Sequence, residues 1–147
     1  MPPLRKATPD DSALLAQLHG THFPRAWAED EFLSFFERDG IVAYIAHTDQ
    51  PIGFIFCWAV AGECELLALA VHNAHRGQGI AKQLCTHAFA DAKALRAQQV
   101  HLEVAASNTP AQKLYASLGF EIMHRRKGYY AYPDGTHEDA LTMRLEL

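Results

Sequence analysis

The segment that most restricts this chain runs over residues 64–104, where a strand, a glycine turn, a helix and a second strand follow one another. Residues 64–71 are mostly apolar and read as a strand, entered through the turn Ala61-Gly62-Glu63. After Gly77 and Gly79, the apolar residues Ile80, Leu84, Ala88, Ala92 and Leu95 recur at three- or four-residue intervals, which predicts one buried face of a helix. Val100-His101-Leu102-Glu103-Val104 then alternates, with three apolar side chains on one face and His101 and Glu103 on the other. Two strands of one sheet joined through a helix lie parallel, with a right-handed crossover.

Around this unit the remaining segments read as strands joined by short turns. Residues 4–7 predict a short first strand. Thr8-Pro9-Asp10-Asp11 then starts a helix, with Thr8 as cap, Pro9 in the first turn and Asp11 in the acidic position of a capping box. Leu14, Leu15 and Leu18 give its stripe, and Gly20 and Pro24 end or interrupt it. A second helix is predicted over residues 29–38, burying Phe32, Leu33, Phe35 and Phe36, with Gly40 just past its end. Residues 41–47 and 52–60 form a hairpin about Thr48-Asp49-Gln50-Pro51. Thr109-Pro110 opens a short helix that ends near Leu118-Gly119, and residues 120–129 and 139–145 supply two antiparallel strands. The expectation is an α/β (α+β) chain with a mixed sheet, and 147 residues suffice for one domain with its own core.

Composition removes several classes. A formal charge of −4 argues against general nucleic-acid affinity, and the one dense basic run, Arg125-Arg126-Lys127, is too short to act as an arm. No apolar run approaches the ~20 residues needed to cross a bilayer, and the N-terminus lacks a signal-peptide pattern. Three cysteines without a Cys-x-x-Cys spacing read as reduced thiols, with Cys57 and Cys85 buried, which points to the cytoplasm. Nine histidines include no His-Glu-x-x-His or other paired ligand spacing, so no metal is expected.

The glycine turn is a candidate anion site. A strand-to-helix turn leaves main-chain N–H groups free at the positive end of the helix dipole, and Gly77 and Gly79 leave room for close approach. No Lys-Ser or Lys-Thr follows, as a Walker A loop requires, and Lys82 stands where a dinucleotide fingerprint needs its third glycine. The loop alone does not identify its anion, and a nucleotide-phosphate domain stays open on this feature.

Arg76-x-x-Gly79-x-Ala81 resembles the acetyl-CoA loop of the GCN5-related N-acetyltransferases. Downstream, Glu103-Val104-Ala105-Ala106-Ser107-Asn108, then Ala111, Leu114-Tyr115 and Leu118-Gly119-Phe120, resembles the second block of that family. Arg125-Arg126-Lys127-Gly128-Tyr129-Tyr130, Asp134-Gly135 and Glu138-Asp139-Ala140 are similar to the branch that acetylates the N-terminal alanine of a small-subunit ribosomal protein. The similarity covers nearly the whole chain and is strongest over residues 66–143. It implies a mostly antiparallel sheet of about six or seven strands, a splayed parallel pair and about four helices.

The resemblance also implies roles. Acetyl-CoA is the co-substrate, with its pyrophosphate on Arg76, Gly77, Gln78, Gly79, Ile80 and Ala81. Its pantetheine arm pairs with the main chain of Leu69, Ala70 and Val71 as a strand would. Lys82 stands either beside the phosphates or in solvent, and Asn108 either binds the arm or shapes the turn before Thr109. Glu103 acts as general base, a role a solvated strand carboxylate would not have, and Tyr115 as the proton donor to the leaving thiolate. An α-amine of pKa ~7.7–8.0 costs only about 1 kcal/mol to deprotonate at neutral pH, against about 5 kcal/mol for lysine, so one modest base suffices. No cysteine lies at this centre to carry an acyl group, so direct transfer in a ternary complex is expected.

Phe23, Trp27, Tyr129 and Tyr130 are the candidate acceptor-binding residues, Tyr129 and Tyr130 being equally suited to packing at a hairpin. The branch pattern Phe-Pro-Trp is altered here to Phe23-Pro24-Arg25-Ala26-Trp27, with two residues inserted before the tryptophan. The leading reading is an Nα-acetyltransferase whose partner is the N-terminal segment of a ribosomal protein. The alternatives are an acetyltransferase for a small amine or a lysine side chain, and a non-catalytic acyl-CoA-binding module. Oligomeric state is not legible.

Overall fold

The computed structural model describes residues 1–147. Its strands are β1 (Leu4–Lys6), β2 (Ile41–His47), β3 (Pro51–Val60), β4 (Glu63–Val71), β5 (Gln99–Ala105), β6 (Glu121–Ala131) and β7 (His137–Glu146). The helices are α1 (Ser12–His22), α2 (Glu29–Phe36), α3 (Ile80–Ala94) and α4 (Thr109–Ser117). All seven strands join one sheet in the order β1-β2-β3-β4-β5-β7-β6. Every neighbouring pair is antiparallel except β4 and β5, the pair predicted by the crossover.

The parallel pair is short. Glu63, Cys64 and Glu65 oppose Gln99, Val100 and His101, and beyond them the two strands separate. The separation begins at a bulge: Cys57 opposes Leu66 and Phe56 opposes Ala68, so Leu67 has no partner in β3. A bulge adds one residue, bends the strand and reverses which side chains face which way. Cys64 and Leu66 therefore pack on the α3 side, while after the bulge Leu69 and Val71 do so and Ala68 and Ala70 face α1 and α2.

Two cores sandwich the sheet. On one face Leu84, Cys85 and Ala88 of α3 and Tyr115 of α4 pack against Ile55, Leu66, Leu102 and Met143. On the other, Leu15 and Leu18 of α1 and Phe32 of α2 meet Ile45, Phe54, Phe56 and Ala70. Burying a side chain of this size stabilises by ~1.5–3 kcal/mol. The helix starts follow local chemistry: the Asp11 carboxylate accepts the Thr8 N–H at 2.8 Å across a 3-10 turn that leads into α1.

Two sequence expectations are corrected. Leu95, assigned to the α3 stripe, is 53% exposed because the helix ends at Ala94 and the chain turns out of helical phase, with Arg96 at φ 70°. Leu33, assigned to the buried side of α2, is 38% exposed, since one residue along a helix rotates it about 100° from Phe32. That helix also stops at Phe36 rather than residue 38, and the Arg38 guanidinium lies over the Phe35 and Trp58 rings at 4.6 Å each.

Candidate active site

The site is built around the gap between β4 and β5. Past Glu65, β4 has lost its partner on that side, so its main chain there can pair with an extended arm. At the end of the gap, Gly77 (φ 77°) and Gly79 (φ 80°) take left-handed conformations that other residues adopt only at a cost, and Gly79 caps α3. The first intrahelical bond is made by the Gln83 N–H to the Gly79 carbonyl at 3.0 Å, which leaves the N–H groups of Ile80, Ala81 and Lys82 for an anion. A Cβ on Gly77 would meet nothing within 4 Å, so that side of the turn is open, and a cleft of about 460 Å³ runs beside it between Gln78, Ile80, Thr48 and Ile52. This edge and this turn fit a phosphate-bearing molecule with an amide arm.

Arg76 does not simply project toward such a ligand. Its Nε donates to the Val71 carbonyl at 3.2 Å, and because His72 and, two residues before it, Ala70 turn their main chain toward β3, Leu69 and Val71 are the residues that turn theirs toward the gap. Beside it, His22 of α1 and His72 share a hydrogen bond at 3.1 Å, and burial holds the His22 imidazole below its usual range, with His72 and Arg76 adding repulsion. Asn108 performs the turn-shaping alternative: its Oδ1 accepts the Ala111 N–H at 3.2 Å and caps α4.

Glu103 projects from β5 on the face away from α3, as alternation predicts. Its Oε1 forms an ion pair with Arg126 Nη1 at 3.2 Å. Tyr115, in α4, is 7% exposed, its hydroxyl free of any protein hydrogen bond. Burial pushes this phenol well above its usual value, with smaller contributions from Cys85, Cys57 and Tyr130. Tyr130 links the two: burial and then the charge of Glu103 push its phenol up to about 12, and it bears in turn on Tyr115.

The cysteines lie nearer this centre than the sequence implied. Cys57, Cys64 and Cys85 are all buried and unpaired, and Cys57 and Cys85 sit within electrostatic range of Tyr115. Burial pushes the Cys85 thiol up to about 12, and the neighbouring Cys64, with burial, raises Cys57. Thiols held neutral are poor nucleophiles.

The β6–β7 ribbon closes one side, held by two adjacent carboxylates. Asp139 accepts from Arg125 Nε at 2.7 Å and from the Gly128 N–H at 2.9 Å, which fixes an irregularity between Arg126 and Tyr130. Glu138 accepts from the Ser107 N–H and from the Tyr132 hydroxyl, both at 2.7 Å, and ties the ribbon to the turn before α4. On the opposite side, the loop from Phe23 to Trp27 is anchored by a residue the sequence did not single out. His19, 3% exposed, accepts the Trp27 N–H at Nδ1 (3.0 Å) and stacks on Phe23 and Trp27, with ring centroids 4.2 and 5.0 Å away. Phe23 and Trp27 thus pack onto the α1–α2 core. His19 and Arg126 escaped the sequence because their partners come from separate segments. The spacing of His19 from the loop is a signal only once the loop is known to fold back.

A mixed sheet opened at one parallel pair, with a glycine turn and helix N-terminus at the end of the opening, defines an acyltransferase architecture. The Acetyltransferase (GNAT) family profile matches residues 12–120, and the chain belongs to this family and is an N-acetyltransferase. It is 43% identical over 99 residues to the [Ribosomal protein bS18]-alanine N-acetyltransferase of Haemophilus ducreyi, covering 67% of this chain and 68% of that one. Among solved structures, the ribosomal-protein-S18-alanine N-acetyltransferase of Escherichia coli superposes with a TM-score of 0.88 at 26% identity, covering 99% of this chain and 94% of that one. Arabidopsis thaliana NAA60 in complex with acetyl-CoA shares the fold, with a TM-score of 0.88 at 24% identity over 100% and 99% of the two chains.

Proposed function

We propose that this chain transfers acetyl from acetyl-CoA to the N-terminal amino group of a ribosomal protein in the cytoplasm, the first residue being alanine. The observation that carries the reading is the gap between β4 and β5, which ends at the glycine turn before α3, with Glu103 on β5 and Tyr115 on α4. The relatives named for bS18-alanine acetylation support the choice of acceptor, and the acetyl-CoA complex of NAA60 supports the choice of donor. No helix is long and apolar enough to cross a membrane.

In this reading the turn from Arg76 to Ala81 holds the pyrophosphate and the free edge at Leu69 aligns the arm. The bound thioester supplies an acyl carbon at which the amine forms a C–N bond as the C–S bond breaks. Glu103, directly or through water, removes the amine proton, and the sulfur departs with the C–S electron pair as the coenzyme thiolate. Tyr115 keeps its proton at every physiological pH and serves that sulfur as a hydrogen-bond donor. Complete transfer from so weak an acid to a thiolate of pKa ~8.5 runs uphill. Direct attack needs no protein thiol, in keeping with the neutral Cys57 and Cys85.

The test is acetylation, with acetyl-CoA, of a panel of peptides that differ only at the first residue, beside an Nα-capped lysine peptide and a small amine. Mass spectrometry locates the added group. Modification confined to the α-amine of the alanine peptide is expected, and modification of the capped lysine peptide alone would overturn the acceptor assignment.

A further inference from the structure

We infer that Arg126 restricts the acceptor to a peptide α-amine, by binding the carbonyl oxygen of the acceptor's first residue while Glu103 binds its amine. The inference rests on the acceptor reading given above. It starts from a feature which that reading leaves unused: the proposed base already has a cationic partner, with Arg126 Nη1 at 3.2 Å from Glu103 Oε1.

A guanidinium carries five N–H donors in one plane. One nitrogen, Nη1, is ion-paired with Glu103 Oε1. The Tyr129 ring covers the flat face, with its centroid 5.1 Å from Cζ, and no other side-chain or main-chain acceptor engages the group. The side chain is 49% exposed and that of Glu103 is 28% exposed, so neither partner of the pair is sealed from solvent. Its backbone is not free to drift. Arg126 opposes Ala140 on β7, and Asp139 pins the preceding Arg125 and the following Gly128.

A peptide α-amine and the carbonyl oxygen of the same residue are three bonds apart, about 2.7–3.6 Å through space given standard backbone dimensions. An amine seated on the Glu103 carboxylate therefore carries a carbonyl oxygen into hydrogen-bond range of a group 3.2 Å from that carboxylate. A lysine ε-amine or an alkylamine brings no acceptor to that distance. Such an amine can still reach Glu103, but it leaves the Arg126 N–H edge without an acceptor beside a positive charge, and is disfavoured. The two oxygens of Glu103 divide the work, Oε1 to Arg126 and Oε2 to the acceptor. A charge-assisted hydrogen bond of this kind contributes about tenfold to hundredfold in affinity.

The experiment crosses enzyme and acceptor variants. The acceptors are an alanine-initiated peptide, the same peptide with its first amide replaced by an (E)-alkene, which removes the carbonyl oxygen but keeps the geometry, and an Nα-capped lysine peptide. The enzymes are wild type, R126M and R126K, with thermal melts confirming that each is folded. In wild type the alkene is expected to raise KM about tenfold or more. In R126M the amide and alkene peptides should share one KM, at the wild-type alkene level, and R126K should fall between. R126M that still separates the amide from the alkene by the wild-type factor overturns the role of Arg126 while leaving the acceptor reading intact. Wild type that modifies the lysine peptide and not the α-amine overturns both.

Discussion

Glu103 and Tyr115 occupy opposite environments, and their substitutions should separate accordingly. Glu103 lies on the open face, bound to one arginine and in reach of an incoming amine. E103Q keeps the shape and a hydrogen-bond acceptor but removes the basic site. Its kcat is expected to fall about 10²–10⁴-fold, with acetyl-CoA affinity unchanged, since a general base contributes on that scale. Steady-state rates together with a calorimetric titration of the coenzyme check both halves, and an unaltered kcat would remove Glu103 from the base role. Tyr115 is buried, and its phenol is raised chiefly by that burial. A raised phenol stays protonated as pH climbs, so no loss of kcat through Tyr115 is expected up to about pH 10, the unperturbed phenol value. Y115F should lower kcat about tenfold or more, through loss of a donor to the departing sulfur. A wild-type rate of thiol release from that variant would assign the donor role to another group or to water.

At the scale of elements, the α1–α2 connection shows how a loop is anchored from within the core. The loop from Phe23 to Trp27 is held because the buried His19 accepts the Trp27 N–H and stacks on Phe23 and Trp27. That bond requires an unprotonated Nδ1, and burial lowers the His19 imidazole to about 4. The sign follows directly. Above pH 6.5 the imidazole is neutral in both folded and unfolded chains, and its contribution is complete. Between pH 6.5 and 4 the unfolded chain binds a proton that the folded chain excludes, so stability is lost as pH falls, by roughly 1–3 kcal/mol. Thermal melts of wild type and H19Q between pH 4 and 7 should show wild type more stable at neutrality and the gap narrowing on acidification. A gap independent of pH would show that His19 is not held neutral by the fold.

For the molecule as a whole, one sheet serves two cores, and the site lies where that sheet opens. Phe54 faces α1 and α2, Leu84 of α3 packs on the other side, and both are fully buried at 0% exposure. F54A is expected to cost about 3–5 kcal/mol and L84A about 2–5 kcal/mol. Because the cores share the strands between them, each variant should lower a single urea transition without changing its slope. Two resolved transitions in either variant would show that the layers unfold separately.

Much of this was legible in the chain. The crossover over residues 64–104 requires a parallel pair, the alternation in Val100-His101-Leu102-Glu103-Val104 turns Glu103 away from the core, and the spaced glycines form an open turn before a helix. These are local: period, connectivity and the conformational range of glycine depend only on neighbours along the chain. Other features depended on residues far apart in sequence. The bulge at Leu67 arises only from the register of β4 against β3, and it is the point from which β4 leaves β5. Arg126 reaches Glu103 across β7, Glu138 reaches Ser107 from the ribbon, and the thiols of Cys57 and Cys85 gather near Tyr115. The sequence by itself determined the elements, their order and the polarity of each face, because those follow from steric and solvation preferences within a few residues. Only the tertiary structure decided the width of the gap, the counter-ion of the candidate base and the electrostatics around the phenol, because Coulombic and packing energies depend on separations through space.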